Sequence, residues 1–230
     1  MKTSVFKNAG WIIGCKIVQS LINFVIGMIT ARYLGPSNYG VISYVASIVA
    51  FAMPLMQLGL KNTLVKEFVE APEKEGSILG TAMVINIISS IACMIGSVAF
   101  VMFVNAGERE TIIVCALYSL TLLFNATEMT QYWFQSKLLS KYPSIAALVA
   151  YVVVAIYKIY LLVTQKSIVW FALSNVIDYA LISIMLIVIY VKVGGQKLSV
   201  NWNLGKRILR AGDAIIVTAS DLYDGKVVLE

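Results

Sequence analysis

Six apolar stretches, each long enough to cross a bilayer, dominate the chain: residues 9–30, 40–60, 77–104, 111–134, 144–164 and 167–191. A crossing helix needs about 20 mostly apolar residues, because each residue rises about 1.5 Å through a hydrocarbon core about 30 Å thick. Of the 230 residues, 60% are apolar and 13% charged, against about 45–50% and about 25% in ordinary globular domains. A soluble fold of that balance could not cover its own core. The sequence predicts an all-α polytopic membrane protein, a six-transmembrane-helix bundle over residues 1–192, followed by a basic segment and polar tail over 193–230.

Turn chemistry and charge mark the separators. Leu34-Gly35-Pro36-Ser37-Asn38 follows the first span, and Ala71-Pro72-Glu73-Lys74-Glu75-Gly76 precedes the third. Asn105–Glu110 and Tyr142-Pro143 make the next two breaks, and the fifth, near Gln165-Lys166, predicts a tight helical hairpin. Lys2 and Lys7 before an apolar run resemble a signal peptide, and Ile12-Ile13-Gly14-Cys15 a lipoprotein box. Lys16, Gln19 and Asn23 interrupt that run, so it reads as a retained helix.

Several chemistries are excluded by residue content. Without histidine, a Ser-His-Asp triad, a Cys-His pair and a histidine-ligated zinc site cannot form. Cys15, Cys93 and Cys115 lie inside apolar runs at no metal or redox spacing and read as small packing residues. No GxxxxGK[ST] loop is present to hold nucleotide phosphates. Metal and cofactor are therefore not expected. The net charge of +6 belongs to basic loops, not to a nucleic-acid stripe.

Those loops also set an orientation. Twelve Lys and Arg residues fall on one side of the six spans, from Lys2 and Lys7 through Lys61, Lys66, Lys74, Lys137 and Lys141 to the group between Lys192 and Arg210. Only Arg32, Arg109 and Lys166 fall on the other. The positive-inside rule then places both termini in the cytoplasm. Beyond the last span, Asn203–Ala211 reads as a short amphipathic helix with Leu204, Ile208 and Ala211 on one face. It suits either the inner membrane surface or a simple basic anchor.

Four ionisable groups sit within spans: Lys16, Glu128, Lys158 and Asp178. Each costs about 2.5–3.5 kcal/mol to insert, so such groups face a bundle interior or a wet cavity. Lys16, Gln19 and Asn23 share one helical face, and Tyr118, Thr121, Asn125, Glu128 and Tyr132 form a continuous polar face along the fourth span. Lys16 and Glu128 lie about 10 Å and about 9 Å from the same end of their spans, which predicts them as neighbours. Lys158 and Asp178 are expected within reach of each other. The candidate cavity-lining set is thus Lys16, Gln19, Asn23, Tyr118, Asn125, Glu128, Lys158 and Asp178. Pro54 offers a hinge or an inert kink in the second span.

The segment Ala31-Arg32-Tyr33-Leu34-Gly35-Pro36, with Tyr39-Gly40 two residues on, strongly resembles the Wzx-like polysaccharide-unit flippases. These belong to the multidrug/oligosaccharidyl-lipid/polysaccharide exporter superfamily. Asn8–Met28, Gln57-Leu58-Gly59-Leu60 and Gln131-Tyr132-Trp133-Phe134 look like the same family, and the resemblance runs to about Ala211. It implies a MATE-like fold of two six-helix lobes around a cavity in the bacterial cytoplasmic membrane. It also implies movement of undecaprenyl-pyrophosphate-linked oligosaccharide, such as O-antigen or capsule units, between leaflets by alternating access. The implied partners are that lipid-linked substrate, the bilayer, and a second lobe or polysaccharide-assembly proteins, with no nucleic acid. Arg32, Gly35 and Pro36 would sit at the outer mouth of the first helix. Family members carry roughly twice as many spans. The chain therefore resembles an amino-terminal lobe, with Leu209-Arg210-Ala211-Gly212 leading into a seventh helix and a truncation point near residue 212.

A transporter is expected, not an enzyme. Two other readings stay open: a non-transporting membrane subunit, and an intramembrane enzyme of envelope glycan synthesis. The short loops on the less basic side leave little room for an external active site, and Asp178 lacks the GxGD setting of a membrane aspartyl protease.

Overall fold

A computed structural model describes residues 2–57 and 60–208. It is helical throughout, with no strand among the described residues. The elements are α1 (Lys2–Gln57), α2 (Leu60–Glu70), α3 (Glu75–Val104), α4 (Arg109–Asn125), α5 (Met129–Ser136), α6 (Lys141–Val163) and α7 (Ile168–Lys192). Short 3-10 turns occupy Pro72–Lys74 and Ala126–Glu128, and about two further turns of helix cover 202–208.

Among the described residues five helical stretches are long and apolar enough to cross a membrane, and the first of them, Gly10–Gln57, has 48 residues, enough for two crossings. Inside α1, Gly35 leaves helical geometry at φ 73° and ψ 172°. That region is open essentially to glycine alone. Pro36 then restarts the helix at a position where its missing N–H costs nothing. Contacts show that the two arms run in opposite directions. The ammonium of Lys141 lies 4.8 Å from the centre of the Trp11 ring, and the Tyr33 hydroxyl donates to the Lys166 carbonyl at 3.3 Å. The first arm therefore rises alongside α6. Tyr44 donates to the Asn105 side chain at 3.0 Å, and Gln57 meets Asn125 at 3.5 Å, so the second arm descends alongside α4. With α3, the combined α4–α5 unit, α6 and α7, the described residues form a bundle of six rods.

Apolar packing is layered along the bundle. Val45, Val101, Val114, Ile168 and Ala172 fill the end that carries the Gly35 turn. Val49, Ala52, Met56 and Leu122 fill the middle. The largest cluster, around Leu64, Phe68, Ile78, Leu79, Met129, Trp133 and Phe134, fills the end rich in Lys and Arg. Phe24, Phe51 and Phe103 point outward, as lipid-facing side chains do in a membrane bundle.

Two segments read as loop or surface from the sequence are packed elements. Residues 61–76 were expected as a connection, but α2 covers Leu60–Glu70. Leu60, Leu64 and Phe68, four residues apart, are buried in the basic-end core while Lys66 and Glu70 stay exposed. The helix at 202–208 packs on the bundle: Ile208 is fully buried in that same core, and Leu204 packs against it. Ala211 and the truncation point near 212 lie outside the described residues.

Between α7 and that helix, residues 194–201 form a strap across the start of α3. The Ser199 amide donates to the Gly76 carbonyl at 3.2 Å, and the Asn201 amide to the Thr81 hydroxyl at 2.9 Å. The Gln196 side chain accepts from the Gly76 amide at 3.1 Å and donates to the Pro72 carbonyl at 3.0 Å. Arg207 closes the strap by pairing with Glu67 of α2.

Candidate functional site

The bundle carries a half-open cavity of about 760 Å³ in its basic half. Its walls come from the first arm of α1, the 3-10 turn before α5, α5 itself, the start of α6 and the middle of α7, with Gln57 contributed by the end of the second arm. Neither α3 nor α4 lines it.

Of the eight candidate residues, four line this space: Lys16, Gln19, Glu128 and Asp178. Charged groups from three separate crossings thus share one cavity, where water can hydrate them at span depth. Lys16 and Glu128 do not form the direct pair their depths suggested. Among the described residues, the ion pairs within 4.0 Å are Lys66–Glu70, Glu73–Lys74, Glu75–Lys137 and Glu67–Arg207, all at the basic end and none in the cavity. The two groups line the same cavity without closing to an ion pair. One carboxylate oxygen of Asp178 is buried without a hydrogen-bond partner.

The other four candidates lie elsewhere. Asn23 sits two turns along the first arm from Lys16 and is exposed. Tyr118 packs against the apolar clusters of the bundle's middle and far end. Asn125 is 3% exposed and accepts from Gln57. Lys158 donates to Asn175 at 3.5 Å, one turn short of Asp178 on the same helix. The polar face of the fourth span is therefore not continuous. It breaks at the Ala126–Glu128 turn, where Thr127 bonds both the Phe124 carbonyl and the Ser183 hydroxyl at 2.7 Å. Residues before the turn pack inside the bundle, whereas Glu128, Gln131, Tyr132 and Gln135 face the cavity.

Sequence reasoning missed Gln57, Gln131, Gln135 and Tyr179 as lining residues. The signal for two of them was present: Gln131 and Gln135 extend the Glu128 face at helical spacing. At the opposite end, Arg32 and Pro36 are exposed beside the Gly35 reversal.

A family model described as polysaccharide biosynthesis protein matches residues 5–217. The chain belongs to this polysaccharide biosynthesis family. No curated protein and no solved structure matches it. Membership agrees with the fold: a polysaccharide biosynthesis protein built as a bundle of apolar helices long enough to cross a membrane.

Proposed function

We propose that this chain forms one lobe of a flippase that moves undecaprenyl-pyrophosphate-linked oligosaccharide units across the bacterial cytoplasmic membrane, as a transporter and not an enzyme. The observation that carries the reading is the position of the polar cavity, at span depth and in the half of the bundle where Lys and Arg collect. With the basic end in the cytoplasm, the cavity opens toward the leaflet where lipid-linked units are assembled. Lys16 supplies a cation for an anionic linkage, and the amides and phenols around it suit a polyhydroxyl head group. Lys16 and Asn23 are exposed at span depth, where contact with lipid is costly. A second lobe facing the first arm of α1 would cover them and complete the cavity.

Orientation is checked by cysteine labelling in intact cells, with Cys15, Cys93 and Cys115 replaced. Ala106→Cys is chosen over Gly107, whose φ of +97° disfavours any side chain. An impermeant maleimide added from outside is expected to label Ala106→Cys and to spare Lys74→Cys. Labelling of Lys74→Cys without permeabilisation would reverse the orientation.

Transport is tested with a labelled undecaprenyl-linked oligosaccharide in liposomes. The chain alone is expected to give no rate above empty liposomes, because one lobe leaves the head group open to lipid on one side. Addition of a matching second lobe is expected to produce flipping. A rate that rises with the square of protein density would instead identify two parallel copies as the functional unit. No flipping with either arrangement would remove the transport reading.

A further inference from the structure

The cavity contains more uncharged hydrogen-bonding groups than charged ones, and most are unoccupied. Gln19, Gln131 and Gln135 line it, as do Tyr132, Tyr151 and Tyr179. None of these six side chains has a hydrogen-bond partner among the described residues; of the lining glutamines, Gln57 alone is bonded, to Asn125. Helix-to-helix polar contacts behave differently in this bundle: Thr127 meets Ser183, Lys158 meets Asn175 and Tyr44 meets Asn105. Packing therefore does not account for the amides and phenols in the cavity.

Three of the six belong to α5, one helix of eight residues. Gln131 and Gln135 stand four residues apart, so their amides lie one above the other along the wall with the Tyr132 ring beside them. Each amide presents two donors and an acceptor, a pattern matched by neighbouring hydroxyls or an N-acetyl group. An aromatic ring next to such amides offers an apolar surface to the C–H face of a pyranose. Opposite chemistry governs recognition of a phosphate, which takes cations or clustered donors; among the described residues Lys16 is the only cation lining the cavity. The remaining face of α5 is fixed: Trp133 and Phe134 are buried in the core. The wall is consequently held in place by packing on one side and left unpartnered on the other.

We propose that α5 is the sugar-reading wall of the cavity, in which Gln131, Tyr132 and Gln135 bind a neutral hexose or N-acetylhexosamine of the glycan and set sugar specificity, while Lys16 takes the anionic linkage. This inference rests on the transport reading above and divides its site into two parts. Loss of the α5 amides should weaken recognition of the sugar and leave recognition of the lipid pyrophosphate intact.

The experiment uses the full chain in nanodiscs and two probes: undecaprenyl pyrophosphate, and the same lipid bearing one N-acetylglucosamine. Wild type is expected to bind the sugar-bearing probe more tightly than the bare one. The double variant Gln131→Ala/Gln135→Ala is expected to raise Kd for the sugar-bearing probe about tenfold, as for the loss of two to three hydrogen bonds, and to leave Kd for the bare lipid within about twofold. Tyr132→Phe removes one hydroxyl and retains the ring, so it tests the same wall should the double variant misfold; a selective loss of about threefold is expected. Equal binding of the two probes by wild type, or equal losses for both probes in the variants, would overturn the division while leaving the transport reading standing. Binding of neither probe by wild type would overturn the assignment of the sugar to α5 in this lobe, while the transport reading stands or falls on flipping with the second lobe added.

Discussion

Gly80→Ala is expected to destabilise the protein even though alanine is the better helix former. A Cβ at Gly80 would lie 2.4 Å from the carbonyl oxygen of Ser199 and 3.0 Å from its amide nitrogen, both backbone atoms of the strap. Neither can swing aside like the tip of a side chain. The strap is tied on both flanks, through Ser199 to Gly76 and through Asn201 to Thr81. Overpacking of this kind costs about 1–3 kcal/mol, or roughly 3–10 °C in Tm for a chain of this size. Gly96 is the internal control: it lies on the same helix, and a Cβ there meets nothing within 4 Å. Gly96→Ala should be neutral or stabilising by up to about 1 kcal/mol. Thermal unfolding of both variants in detergent tests the contrast. A Gly80→Ala protein as stable as wild type would mean that the strap does not hold to α3.

The strap shows why part of this structure was not legible in the sequence. Crossing helices announce themselves, because a hydrocarbon core forces about 20 apolar residues in a row and loops must carry the charge. The Gly35-Pro36 reversal is equally local: one residue takes a backbone geometry reserved for glycine, and the next starts a helix. Gly76 and Gly80, by contrast, read as ordinary small residues until a segment about 120 positions later packs on them. The α2 helix hid for a related reason. Its Leu60, Leu64 and Phe68 form a narrow buried line among charged neighbours, and only the fold shows what covers them. In the site, the depth argument put Lys16 and Glu128 at one level but set Asp178 with Lys158, whereas Asp178 lines the same cavity as Lys16 and Glu128; nor could it see the 3-10 turn that separates Tyr118 and Asn125 from Glu128. Helical periodicity assumes an unbroken helix, and this one changes its winding where the cavity begins.

The second large effect concerns Glu75, which opens α3 and is 5% exposed. Its carboxylate accepts from the Trp133 indole at 2.7 Å and pairs with Lys137, so it ties the start of α3 to α5 and to the connection beyond. Trp133 in turn lies edge-on to Tyr190 with ring centres 4.8 Å apart, and the Tyr190 hydroxyl donates to the Gln196 carbonyl of the strap. The two partners of the ion pair are not equivalent. The Lys137 side chain is 38% exposed and can turn to water if it loses Glu75, whereas the Glu75 side chain is 6% exposed and cannot follow Lys137 out. Lys137→Ala therefore leaves a buried carboxylate with the indole as its remaining strong partner, and about 3–5 kcal/mol of stability should be lost. Glu75→Gln keeps an oxygen for the indole N–H and frees Lys137 to solvent, at a cost of about 1–2 kcal/mol. The double variant is the sharpest measurement: with the buried charge gone, Lys137→Ala on a Glu75→Gln background should cost far less than on wild type, giving a coupling of about 1–3 kcal/mol. Additive losses would show that the carboxylate does not depend on Lys137, and the order Glu75→Gln worse than Lys137→Ala would show that the indole contact, not the ion pair, holds this corner of the bundle.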